Sequence, residues 1–157
     1  MTQRLPAMLL ALAVLSLAAC GKSSKSTTGD TVPPNATGTI SLTSTAFNPD
    51  GPLPVQFSCD GEGTSPPLAW SGVPKNATSL TLTVTDPDAN GFLHWKVTGI
   101  PPHDGKVDQG AVPAGGSVSQ PWRPACPPKG AGLHHYVFKL EAKPTGSGGL
   151  TATFERS

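Results

Sequence analysis

Residues 79–86 read SLTLTVTD. In an extended chain successive side chains point to opposite faces, so Leu80, Leu82 and Val84 share one face and Thr81, Thr83 and Thr85 the other. A helical period would scatter these leucines around the axis. The β-branched residues on both faces suit a pleated, half-buried surface. Residues 92–100 (FLHWKVTGI) and 134–142 (HHYVFKLEA) continue this theme, and the latter puts His134, Tyr136, Phe138, Leu140 and Ala142 on one face. Shorter strands are predicted over 39–44, 55–57, 115–119 and 151–156. Turns are predicted at 48–52, 60–63 and 72–76, where Gly, Pro, Asn and Asp gather. Eighteen Gly and eighteen Pro in 157 residues argue against long helices. Short strands with regular turn signals predict an all-β sandwich.

The N-terminus has a different character. Arg4 precedes the apolar run MLLALAVLSL at 8–17, which has the form of a secretory signal and is too short for a membrane-spanning helix of about 20 residues. Leu17-Ala18-Ala19-Cys20-Gly21 resembles the bacterial lipoprotein processing box, in which cleavage precedes a cysteine that takes lipid. Residues 1–19 are therefore read as signal peptide, and Cys20 as the lipidated residue. Residues 20–38 are read as a flexible tether, because KSSKSTTGDTVPPN at 22–35 has too little apolar surface to fold. Residues 39–157 form the domain. An envelope location follows, and Gly21 after the cysteine is compatible with the periplasmic face of the outer membrane.

Eleven Lys and Arg face ten Asp and Glu, with no basic block of the kind that binds nucleic acid. With Cys20 assigned to lipid, Cys59 and Cys126 remain as candidates for a disulfide in an oxidising compartment, or as two separate thiols.

Unusual polar residues gather in three places: Asp86-Pro87-Asp88-Ala89-Asn90, His94-Trp95, and the run from Cys126 to Tyr136. Asp86 has the parity of Leu82 and Val84, so its carboxylate falls where the core face ends and needs partners. His134 shares the parity of Phe138 and Leu140. The run before it offers backbone N–H groups at Cys126, Lys129 and Gly130, while Pro127 and Pro128 offer none. Two imidazoles beside backbone N–H groups make an anion pocket. No G-x-S-x-G nucleophile is present, and the chain is read as a non-enzyme.

The ordered set Ser58-Cys59-Asp60-Gly61, Ser65-Pro66-Pro67-Leu68, Trp70-Ser71-Gly72-Val73-Pro74, Asp86-Pro87-Asp88-Ala89, His94-Trp95, Ile100-Pro101, Cys126-Pro127-Pro128 and Gly132-Leu133-His134 with Tyr136-Val137-Phe138 resembles the phosphatidylethanolamine-binding protein family, in its bacterial Raf kinase inhibitor-like branch. The resemblance implies a β-sandwich with an anion pocket at one end. Asp86, His94 and His134 would line it, and Cys126, Pro127, Pro128 and Tyr136 would form its wall. The implied partner is a small anionic or phosphoryl ligand, with no cofactor and no metal, although two His and one Asp could hold one. The alternative is a protein-interaction or inhibitor domain with a degenerate pocket.

The chain departs from the family pattern in several places. His135 stands where Arg is usual, Gly99 where Asn is usual, and Phe154 where Tyr is usual. The loop 104–122 is short. Residues 143–150 (KPTGSGGL) replace the segment that ordinarily contains a C-terminal helix, which is read as deleted.

Overall fold

A computed structural model describes residues 38–157. The residues read as signal peptide, Cys20 and nearly all of those read as tether lie outside the described residues.

Nine strands form two sheets. In chain order they are β1 (Ser41–Thr43), β2 (Gly51–Pro52), β3 (Leu68–Ser71), β4 (Ser79–Asp86), β5 (Phe92–Ile100), β6 (Gly105–Val107), β7 (Ser117–Gln120), β8 (His134–Lys143) and β9 (Ser147–Phe154). The larger sheet has the order β2-β9-β8-β4-β5-β7 and the smaller β1-β3-β6; neither closes. All pairings within them are antiparallel except the short parallel contact of β2 with β9. Among the described residues there is no α-helix, and two 3-10 turns span Val55–Phe57 and Pro87–Ala89.

The predicted parity holds along the central strands. Leu80, Leu82, Val84 and Asp86 are buried on β4, and His134, Tyr136, Phe138, Leu140 and Ala142 on β8. The apolar ones join Leu42, Leu68, Trp70 and Val107 of the smaller sheet in one core, and Asp86 and His134 lie where its polar end begins. Burying such side chains stabilises by about 1.5–3 kcal/mol each before conformational entropy is charged.

The short elements depart from the sequence reading. Val55–Phe57 is a 3-10 turn: Pro54 fixes its entry and the Ser58 N–H closes back on the Val55 carbonyl. Gly51–Pro52, read as turn, makes a brief ladder with β9. The seventh strand begins at Ser117 because the Gly116 N–H closes a turn onto Pro113. The last strand begins at Ser147, inside the segment read as a helix replacement, so β8 turns directly into β9. A Cβ at Gly148 would lie 2.1 Å from the Ile40 carbonyl oxygen, which is why this strand carries glycine where the N-terminal segment crosses it.

Candidate functional site

The site begins where β4 ends. Asp86 is 2 % exposed, as its parity requires. Its Oδ1 accepts the Asp88 and Ala89 N–H groups at 2.9 and 3.1 Å, capping the turn that Pro87 starts. Its Oδ2 accepts from His134 Nδ1–H at 2.7 Å. Three bonds satisfy the buried carboxylate. The acid thus fixes the imidazole through Nδ1 and leaves Nε2 as its remaining ring nitrogen.

His94 reaches the same site through a bulge. Val84 pairs with Trp95 and Thr85 with Leu93, so β5 carries one extra residue there and His94 and Trp95 are both buried. His94 Nδ1–H donates to the Arg123 carbonyl at 2.8 Å, and the Arg123 N–H donates to the His94 carbonyl at 2.8 Å. A carbonyl only accepts, so the neutral ring has its proton on Nδ1 and its lone pair on Nε2. Burial pushes the His94 imidazole below its ordinary pKa, against the opposing pull of its bond to Arg123 and of Asp86.

The wall is made by two loops joined through the Cys59–Cys126 disulfide, whose Cα atoms are 5.3 Å apart. A bridge between residues 67 apart is worth about 4 kcal/mol on the chain-entropy account. The same loops are tied to the end of β9. Arg156 donates to both carboxylate oxygens of Asp60 at 2.8–3.0 Å, and its carbonyl accepts the Gly130 N–H at 3.3 Å. The guanidinium holds the Asp60 carboxyl below its ordinary range. Gly130 therefore does not offer its N–H to a ligand, as the sequence reading had it. Those of Cys126 and Lys129 have no protein acceptor among the described residues.

The result is a cleft of about 440 Å³ lined by Asp86, His94, Cys126, Pro127, Pro128, His134 and Tyr136, all seven of the residues singled out from sequence. Burial, with the nearby carboxylates of Asp86 and Asp88, raises the Tyr136 hydroxyl well above its ordinary pKa and keeps it a neutral donor.

Sequence reasoning missed Phe92 and Arg123, which also line the cleft. Phe92 shares the alternation of His94, so its place was available from the pattern. Arg123 left no signal, because its position comes from backbone pairing to a residue 29 places earlier. Its guanidinium carbon is 5.5 Å from the Phe92 ring centroid. Trp95, next to His94 in the chain, packs edge-on against Trp122 and does not line the cleft. The Trp70 and Trp122 indoles donate to the loop carbonyls of His103 and Gly63. Among the described residues no group of three or more His, Cys, Asp or Glu is placed to hold a metal.

The sequence model of the family described as phosphatidylethanolamine-binding protein matches residues 43–157. A Mycobacterium tuberculosis protein named as lipoprotein LppC is 46% identical over 125 residues, covering 74% of this chain and 62% of its own length. The chain thus spans less than two thirds of that relative. The crystal structure of CT736, a phosphatidylethanolamine-binding-protein homologue from Chlamydia trachomatis, superposes with a TM-score of 0.66 at 28% identity, over 76% of this chain and 99% of the homologue. Escherichia coli YbcL, described as a member of the mammalian family of that name, gives 0.66 at 26% identity, over 75% and 99%. With its alternating strands, its two sheets and its ordered loop motifs accounted for, the chain belongs to the phosphatidylethanolamine-binding protein family.

Proposed function

We propose that this chain is a lipoprotein of the cell envelope, held to the membrane through Cys20, whose β-domain binds a small anionic ligand, foremost a phosphorylated one. The observation that carries the binding is the buried Asp86–His134 pair at the floor of an apolar-walled cleft. A desolvated, fully bonded carboxylate is costly to maintain, and here it fixes one imidazole nitrogen and leaves the other for a ligand. The cleft volume lies within the range of small-molecule sites, about 300–1,000 Å³. The anchor is supported by the lipoprotein box at Cys20 and by the name of the LppC relative. The periplasmic face of the outer membrane is the proposed location. The role is binding, with no enzymatic step.

Calorimetric titration of a soluble form lacking residues 1–26 tests the reading, with phosphate and phosphoethanolamine as probes at pH 5.5 and 7.5. Saturable binding that His94→Ala and His134→Ala together abolish supports it. A folded domain that binds neither probe at either pH defeats it, and leaves a protein-interaction domain with a degenerate pocket. The lipid anchor is tested separately by mass spectrometry of the mature N-terminus, before and after Cys20→Ser.

A further inference from the structure

The chain enters the described domain at the end of the larger sheet that is remote from the cleft. The Ser147 N–H donates to the Gly38 carbonyl at 3.1 Å, and the Ile40 N–H donates to the Ser147 carbonyl at 2.9 Å. Ser147 opens β9 and pairs with Glu141 near the end of β8. The cleft residue His134 stands at the start of β8, roughly 25 Å away along an extended strand. The Thr78 N–H donates to the Lys143 carbonyl at 2.8 Å, and Pro74 packs so closely on Gly38 and Gly146 that a Cβ at either would meet its ring. Loop 72–78, the turn between β8 and β9 and the entering chain thus make one end face.

Residues 38–157 contain six lysines, and four of them, Lys75, Lys96, Lys139 and Lys143, lie on this end face or on the outer face of the sheet beside it. Lys75 and Lys143 are exposed. Lys96 and Lys143 share a groove of about 590 Å³ whose walls add the hydroxyl residues Thr81, Thr98 and Ser147. The one acid in the groove, Glu141, is held by Lys139 at 2.8 Å. Asp104, the acid beside loop 72–78, accepts the Val73 N–H at 3.0 Å. Lys75, Lys96 and Lys143 have no carboxylate partner among the described residues. A solvated sheet face calls for polar residues, but not for a cation excess confined to the end where the chain enters.

We propose that this end face and its groove form a docking surface for the anionic phospholipid head groups of the membrane that holds Cys20. The inference rests on the lipid anchor of the proposed function, and adds how the domain sits: lysines toward the bilayer, and the cleft open to the aqueous side. Cys20 precedes Gly38 by about 18 residues, a length that as a flexible chain spans roughly 20–25 Å, so the surface stays within reach of the membrane. Each lysine held near an anionic bilayer strengthens attachment by about fivefold.

Co-sedimentation with vesicles tests the surface apart from the anchor. At low salt the soluble form lacking residues 1–26 should bind vesicles of phosphatidylcholine containing about one-third phosphatidylglycerol, and pass over vesicles of phosphatidylcholine alone. Lys75→Gln, Lys96→Gln and Lys143→Gln combined should weaken that binding about a hundredfold. Lys106→Gln, on the smaller sheet and paired with Asp108, should change it less than twofold. Near-UV circular dichroism verifies each fold. In the lipidated full chain, a fluorophore at Thr145→Cys should be quenched by quencher-bearing head groups more than one at Ala131→Cys, beside the cleft. A soluble form that binds neither vesicle, a triple variant that binds normally, or stronger quenching at residue 131 overturns the proposal and leaves the anchor standing. If mass spectrometry finds no lipid on Cys20, the anchor falls, and the vesicle result by itself decides whether the lysine surface stands.

Discussion

Two aspartate–histidine pairs stand side by side in this domain and differ in little but burial. Asp86 holds His134 at 2.7 Å with side chains 4 % and 10 % exposed; Asp88 holds His135 at 2.8 Å with side chains 39 % and 46 % exposed. The acids lie two residues apart across Pro87, and the histidines are consecutive on β8, so alternation sends one ring inward and the next outward. Both pairs fasten the same turn to the same strand. The inner one does so in a desolvated site, where every lost partner leaves a buried group unpaired. The outer one competes with water, and exposed pairs contribute little. Equal distances therefore carry unequal consequences, and burial decides which pair belongs to the site.

The largest test of this contrast is on stability. Asp86→Ala strips partners from the Asp88 and Ala89 N–H groups and from His134 Nδ1, and should cost about 3 kcal/mol in urea unfolding. Asp88→Ala should fall within the scatter of ordinary surface substitutions. Similar losses in the two variants would mean that anchoring the turn matters and burial does not.

Ligand affinity separates the pairs next. His134→Ala should weaken phosphoethanolamine by about tenfold, the worth of one charge-assisted hydrogen bond. His135→Ala should change it less than twofold, since His135 does not line the cleft. Equal effects would place the ligand across the turn instead of inside the cleft.

The contrast also shows what a sequence can and cannot disclose. The inward direction of Asp86 and His134 was readable because each continues an unbroken alternation, over 79–86 and 134–142. The same alternation located β4, β5 and β8 to within a residue. It failed at Val55–Phe57, where three residues behind Pro54 cannot distinguish a strand from a tight turn. It also failed at β6, whose three residues (GKV) extend only because β3 lies beside them. The cleft's wall could be named from the motifs around Cys126, but the disulfide required a distance, and Cys59 and Cys126 are 67 residues apart. Arg123 was invisible for the same reason. What local period dictates is legible; what two remote backbones dictate together is not.

A pH titration brings in the third histidine of the site. Burial lowers the pKa of His94 on folding, so between the folded and unfolded values the unfolded chain binds the extra proton. Stability from keeping His94 neutral is fully present above the unfolded value of about 6.5 and is lost as pH falls from there toward the lower folded value. Thermal unfolding should therefore show Tm declining from pH 7 to pH 5. His94→Gln, which cannot be protonated, should flatten that limb. A decline that survives in His94→Gln would assign the acid sensitivity to other groups.

The smallest effect belongs to the outer pair and lies in a different pH window. The His135 side chain and backbone N–H both donate to Asp88, and this holds the Asp88 carboxyl below its ordinary value of 3.8. A carboxyl with a depressed folded pKa contributes stability that is present above the unfolded value and is lost as pH falls through the folded one. The Asp88 carboxyl should thus act on the Tm profile only below about 4. His135→Arg sharpens the point, because a guanidinium stays charged throughout and can pair with Asp88 through two oxygens. The variant should raise Tm slightly at pH 8 and keep the affinity for phosphoethanolamine. If it instead alters the affinity, the two pairs communicate through the Pro87–Ala89 turn, and the division between an inner pair that serves the site and an outer pair that only trims the surface does not hold.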